Sequence, residues 1–152
     1  MGYLARDCRG RALACVLFGA AAWKTRPRDE WIGWNEAERA HQLSWIANNN
    51  RFLIFPCVFV KNLASHLLGL MTRRLAADWQ SKYGHPVVLV ETFVERNRFR
   101  GTCYRAANWI CVGQTQGRSR QDRYMTMHVP IKDIYLYVLR SGFREKLCNV
   151  DD

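Results

Sequence analysis

Glu91–Gly113, ETFVERNRFRGTCYRAANWICVG, reads as strand, loop, short helix and strand. The apolar, largely β-branched run Val87–Val90 leads into it and predicts a strand. Polar Asn97 and Arg98 interrupt that strand. Gly101 and Thr102 open a short helix, with the Thr102 hydroxyl placed to accept from first-turn amides. Tyr104, Ala107 and Asn108 fall on one face of it. Trp109–Val112 returns to strand character and Gly113 ends it. Large aromatic side chains mostly pack, so Tyr104 and Trp109 are core residues unless something else gives them work.

Working outward toward the N-terminus, Pro86 and Gly84 stop a long helix that begins at Leu63 and runs to Tyr83. Its apolar positions, Leu63, Leu67, Leu70 or Met71, Leu75 and Trp79, fit a 3.6-residue period, and Asn62 is its expected cap. Before it, Arg51–Phe55 is a buried strand. Pro56 cannot donate to a ladder, so the strand breaks there and resumes over Cys57–Val60. Asn35 followed by Glu38 is a capping-box arrangement, and its helix runs to about Ala47, where three asparagines stop it. Lys24–Glu30 reads as a charged loop and Trp31–Trp34 as a short aromatic strand. Residues 3–9 offer one strand, and Ala12–Phe18 a stronger, central one. Toward the C-terminus, Gln114–His128 is a basic loop, Ile134–Val138 a last strand, and the tail from Arg140 a frayed helix. The order is β, β, short β, α, β, long α, β, α, β, β. That is a mixed α/β (α+β) chain, and one domain accounts for all 152 residues.

Composition narrows the partners. The net charge is +10 with a pI near 9.7, which points to an acidic partner, nucleic acid above all. Much of it is arginine, the better residue for bidentate phosphate contact. Arg96, Arg98, Arg100 and Arg105 form one cluster, and Arg118, Arg120 and Arg123 another. The six cysteines form no Cys-x-x-Cys pair, and the four histidines have no metal-ligand spacing. No metal, no membrane span and a reducing, cytoplasmic location are the expectations.

A broken strand feeding a helix N-terminus makes a device. Its splayed end leaves backbone groups facing a cleft, and the helix end offers free amides and partial positive charge to a phosphate. Lys61, Asn62, Ser65 and His66 stand at that end and are the candidate cofactor-binding residues.

The run from Phe99 to Trp109, with Val112–Gly113 after it, resembles the end of a GNAT (Gcn5-related N-acetyltransferase) domain. The resemblance implies a GNAT-like mixed β-sheet flanked by helices. It also makes acetyl-CoA the candidate cofactor and Tyr104 a general acid toward the coenzyme's thiolate. Glu91 or Glu95 would then be the base. The superfamily's pyrophosphate loop, Arg/Gln-x-x-Gly-x-Gly/Ala, is not matched by Val60–His66, which contains no glycine.

A narrower resemblance covers nearly the whole chain. RDEWIGW (28–34), NNNRFLIFP (48–56), VKNLASHLLGL (60–70), RRLAADWQSKYGHPVVLVETFVE (73–95), RFRGTCYRAANWICVGQTQGRSRQDR (98–123) and IKDIYLYVL (131–139) are similar to the DruA family of the Druantia anti-phage system. That domain also occurs beside insertion-sequence transposases, and longer members carry a further N-terminal part. The resemblance implies defence-system or transposase proteins as partners. It carries no catalytic motif, and no Asp/Glu triad for strand transfer is legible.

Two classes of function follow. A nucleic-acid module would use Arg98, Arg100, Arg105, Arg118, Arg120 and Arg123. An acyltransferase would use Tyr104 and Glu91. A degenerate, non-catalytic interaction module is the plainer alternative to both.

Overall fold

The computed structural model describes residues 1–117 and 129–149. Six strands form one mixed sheet in the order β1-β2-β3-β4-β6-β5. They are β1 (Gly2–Arg6), β2 (Ala12–Ala20), β3 (Ile46–Ile54), β4 (Leu89–Glu95), β5 (Ile110–Gln114) and β6 (Lys132–Val138). Neighbours run antiparallel except β3 and β4, which are parallel.

The helices divide between the faces. On one face α3 (Leu63–Tyr83) and α4 (Thr102–Ala106) cover a core of Val16, Phe18, Ala47, Leu68, Leu75 and Val90. On the other, α1 (Arg26–Ile32), α2 (Glu36–Gln42) and α5 (Phe143–Cys148) enclose Ile32, Ile46, Leu89, Ile134 and Leu147. α3 has the bounds its sequence predicts. Met71 rather than Leu70 faces the core, and Gly84 closes it at φ 75° in the left-handed region glycine adopts freely. The capping box also forms: Asn35 accepts from the Glu38 amide at 2.9 Å, and Glu38 accepts from the Asn35 amide at 2.6 Å.

Four expectations are corrected. Arg26–Ile32 is a helix, not a loop and an aromatic strand, because Pro27 sits in its first turn, where a missing amide costs nothing. Asn48–Asn50 lie inside β3, not at a helix end; tertiary bonds occupy the Asn49 side chain. Cys57–Val60 does not resume the strand, which stops at Ile54. Gly113 lies within β5 rather than after it.

Two irregularities shape β3. It pairs with β4 only through Ile46–Asn48 opposite Leu89–Glu91, and beyond Asn48 the two strands part. Against β2, Leu17 faces Arg51 and Phe18 faces Asn49, so Asn50 is an extra, bulged residue. Ala47 and Asn49 point to the α3 face, as do Phe52 and Ile54. The side-chain alternation thus changes phase at Asn50.

Candidate functional site

Where β3 and β4 are joined, the sheet holds a buried nest of charge. Glu91 is wholly buried on the α1 side. Arg28, equally buried, donates to it at 2.8 Å, and the Ala22 amide donates to its other oxygen at 2.6 Å. Arg28 also donates to the Ala22 carbonyl at 2.7 Å and to Asp29 at 2.9 Å. Trp34 Nε1 donates to Asp29 at 3.0 Å, and Arg39 lies 3.5 Å from it. Burial pushes the Glu91 carboxyl above the usual carboxylate range, against the pull of Arg28. A raised carboxyl is what a general base needs, but no substrate reaches this one. Its geometry is that of a structural ion pair, with both oxygens taken by Arg28 and the Ala22 amide.

Where the strands part, they open a cleft of about 690 Å³. Its inner wall is polar but saturated. Tyr104, buried under α4, donates to Asn49 Oδ1 at 2.7 Å. Asn49 Nδ2 donates to the carbonyls of Leu17 and Arg51, at 3.0 and 3.1 Å. Thr92 donates to the Asn49 carbonyl at 2.9 Å. Burial pushes the Tyr104 hydroxyl up to about 12. Tyr104 also meets Trp109 edge-on at 5.0 Å and stacks on Tyr135 at 5.8 Å. It lines the cleft, yet its proton is committed to Asn49. Gly101, at φ 66°, brings the start of α4 so close to Tyr135 that a Cβ there would overlap the phenol ring.

The outer mouth is cationic and aromatic. Arg51, Phe93, Phe99, Arg100 and Lys132 line it. Arg51 and Arg100 are exposed and have no acidic partner among the described residues. Phe99 is 57% exposed, with the Arg98 guanidinium 5.3 Å from its ring centre. Glu95 is the one carboxylate lining the cleft among the described residues, and Arg98 lies 4.0 Å from it. A second cavity of about 370 Å³ continues from this mouth and shares Asn49, Asn50, Phe93 and Lys132 with it.

Of the arginines singled out in sequence, Arg100 lines the cleft. Arg98 stands beside it, and Arg105 is turned to the Tyr135 hydroxyl at 3.1 Å. Arg118, Arg120 and Arg123 lie outside the described residues. Arg51, Lys132 and Phe99 were not foreseen. The signal for Phe99 was its place in Arg-Phe-Arg; Arg51 looked like the edge of an apolar strand.

The start of α3 bears on an acyl-CoA. Asn62 occupies the cap position, but in left-handed geometry at φ 58°, and its side chain makes no cap bond, contrary to expectation. Its carbonyl accepts from the Ser65 hydroxyl at 3.1 Å and the His66 amide at 3.0 Å. The Leu63 amide turns back to Val60 at 3.3 Å. Asn62 and Ser65 line a groove of about 300 Å³ beside the cleft, whereas Lys61 and His66 are exposed outside it. The first amide is therefore spent inside the loop, and no basic side chain lines the groove. Among the described residues no three His, Cys, Asp or Glu side chains gather as metal ligands, and no helix is long and apolar enough to cross a membrane.

A family described as Druantia protein DruA matches residues 1–141. No curated protein matches the sequence. Among solved structures, the chain is similar to ribosomal-protein-S5-alanine acetyltransferase from Vibrio fischeri, with 8% identity and a TM-score of 0.54 over 92% of this chain and 62% of that one. It is similar also to an agmatine N-acetyltransferase variant, with 13% identity and a TM-score of 0.51 over 90% and 75%. A GNAT-family acetyltransferase from Streptococcus pneumoniae matches at 14% identity and a TM-score of 0.49 over 87% and 63%. The chain thus spans just under two thirds of two of these proteins. At such identities the likeness to the two acetyltransferases with TM-scores above 0.5 is one of fold: the sheet is GNAT-like.

Proposed function

The chain belongs to the Druantia protein DruA family, and from that premise we propose that it serves anti-phage defence by binding nucleic acid at the cleft where β3 and β4 part. One observation carries this reading. The arginines Arg28 and Arg39, beneath the closed part of the sheet, are buried and paired. Arg51 and Arg100, at its open part, are exposed and without acidic partners among the described residues. Desolvated, paired arginine holds a fold together; solvated, unpaired arginine beside a cleft is available to phosphate. The net charge of +10 would speed encounter with a polyanion.

Acyl transfer is the second reading, favoured by the GNAT-like sheet and by Tyr104 in the cleft wall. The committed Tyr104 proton, the sealed Glu91 and the lack of a basic side chain lining the groove at the start of α3 weigh against it.

The test is binding of labelled oligonucleotides by the purified chain across a salt series. Arg51→Ala and Arg100→Ala should each weaken binding of every sequence alike and reduce the slope of log K against log salt by about 1. Salt-independent binding, or binding indifferent to both changes, would sink the proposal. A thermal shift with acetyl-CoA, run in parallel, would revive acyl transfer.

A further inference from the structure

Resting on that reading, we propose that the cleft takes an unpaired nucleotide, so that the protein prefers single-stranded nucleic acid to duplex. The space between the parted strands has the size of a small-molecule site. A duplex is too thick to enter between two strands of one sheet; a single base is not. The rim supplies what a base and its backbone need. Phe99 stands out to solvent between Arg98 and Arg100, and an exposed ring offers a stacking surface to any base. Half-buried Phe93 gives a second ring in the lining of the same cleft. Arg51, Arg100 and Lys132 border the opening on separate elements and can hold the phosphates on either side of an inserted base.

The exclusions support the same conclusion. A pocket that reads one base strongly would offer free polar atoms on its inner wall. Here the Asn49 amide, the Tyr104 hydroxyl and the Thr92 hydroxyl are bonded to one another or to the backbone. Stacking without edge readout is tolerant of sequence. The neighbouring cavity lined by Asn50, Thr115, Pro130 and Lys132 extends the path beyond one nucleotide. The unpaired nucleotide of DNA and that of RNA present the same ring and phosphate, so the chemistry named covers both.

The experiment is fluorescence anisotropy of the whole chain with a labelled mixed-sequence single strand, as DNA and as RNA, against the blunt DNA duplex of the same sequence at fixed salt. At least one single strand should bind ten times tighter than the duplex. Phe99→Ala should cost it about tenfold while changing duplex binding less than twofold. Because Phe99 is exposed, the variant keeps its unfolding midpoint, and Arg73→Ala on the outer face of α3 is the charge control. A 2-aminopurine in the single strand should lose fluorescence on binding and keep it with Phe99→Ala. Duplex binding as tight as single-strand binding, with Phe99→Ala indifferent, would overturn the strand preference. It would leave salt-sensitive binding through Arg51 and Arg100 standing. No binding to any of the three would overturn both.

Discussion

β3 and β4 meet over three residue pairs and then separate, and the two regions use the same residue types in opposite ways. In the joined region arginine and carboxylate are dry: Arg28 and Glu91 are fully buried, and each is held by the other and by the Ala22 backbone. In the parted region Arg51 and Arg100 stand in water with no acidic partner among the described residues. A buried charge left alone is costly, so the joined region is built to tolerate no change. An exposed charge contributes little to stability, so the parted region is free to hold charge for a ligand. The polar wall between them, Asn49 with Tyr104 and Thr92, is neutral and satisfied.

The hardest test of that contrast is Arg28→Ala. It strands Glu91 and Asp29 without their main partner and should cost about 3–5 kcal/mol, read as a fall in the urea midpoint. A loss under about 1 kcal/mol would mean that the nest is ornamental. Gly101→Ala should come next. Its Cβ meets the Tyr135 ring in a backbone conformation that alanine adopts poorly, so the loss should exceed about 1 kcal/mol.

Tyr104→Phe leaves the Asn49 side-chain oxygen unpaired inside the protein and should cost about 1–3 kcal/mol. It also carries a pH signature. The folded hydroxyl titrates at about 12, above the ordinary value near 10. Its stabilisation is complete below the ordinary value and fades as pH rises through about 12, whereas the Tyr104→Phe variant should lack that alkaline component. Coincident alkaline unfolding curves for the two proteins would contradict a Tyr104 hydroxyl raised by burial. Asn35→Ala, which removes the capping box of α2, should cost about 1 kcal/mol.

Smallest of all should be the change in stability from Arg51→Ala and Arg100→Ala, within about 0.5 kcal/mol by chemical denaturation. Paired with a large loss of oligonucleotide binding, that near-zero value would separate the two regions cleanly. Equal damage to folding and binding would merge them.

Sequence reading reached what depends on neighbours in the chain. The bounds of α3, the capping box at Asn35 and the strand run through Leu89–Glu95 are all local statements, made by period, cap and β-branching. It failed where meaning is set at a distance. Arg28 looked like part of a charged loop because its partner Glu91 is 63 positions away. Three successive asparagines looked like a helix stop because nothing local reveals that Asn49 is bonded to Leu17 and Tyr104. The same limit hid the cleft: Arg51 and Lys132 come from β3 and β6, and only the parting of two strands sets them on one rim.

The bulge at Asn50 has a genetic consequence. The Cα register skips that residue, and the apolar residues on either side of it, Ala47 before and Phe52 and Ile54 after, already share one face. Deleting the Asn50 codon would therefore leave every apolar residue facing where it faces now. It would remove the bulge and one of two successive polar side chains, Asn50 and Arg51, that line the opening. In this segment a change of length should therefore matter more than most substitutions.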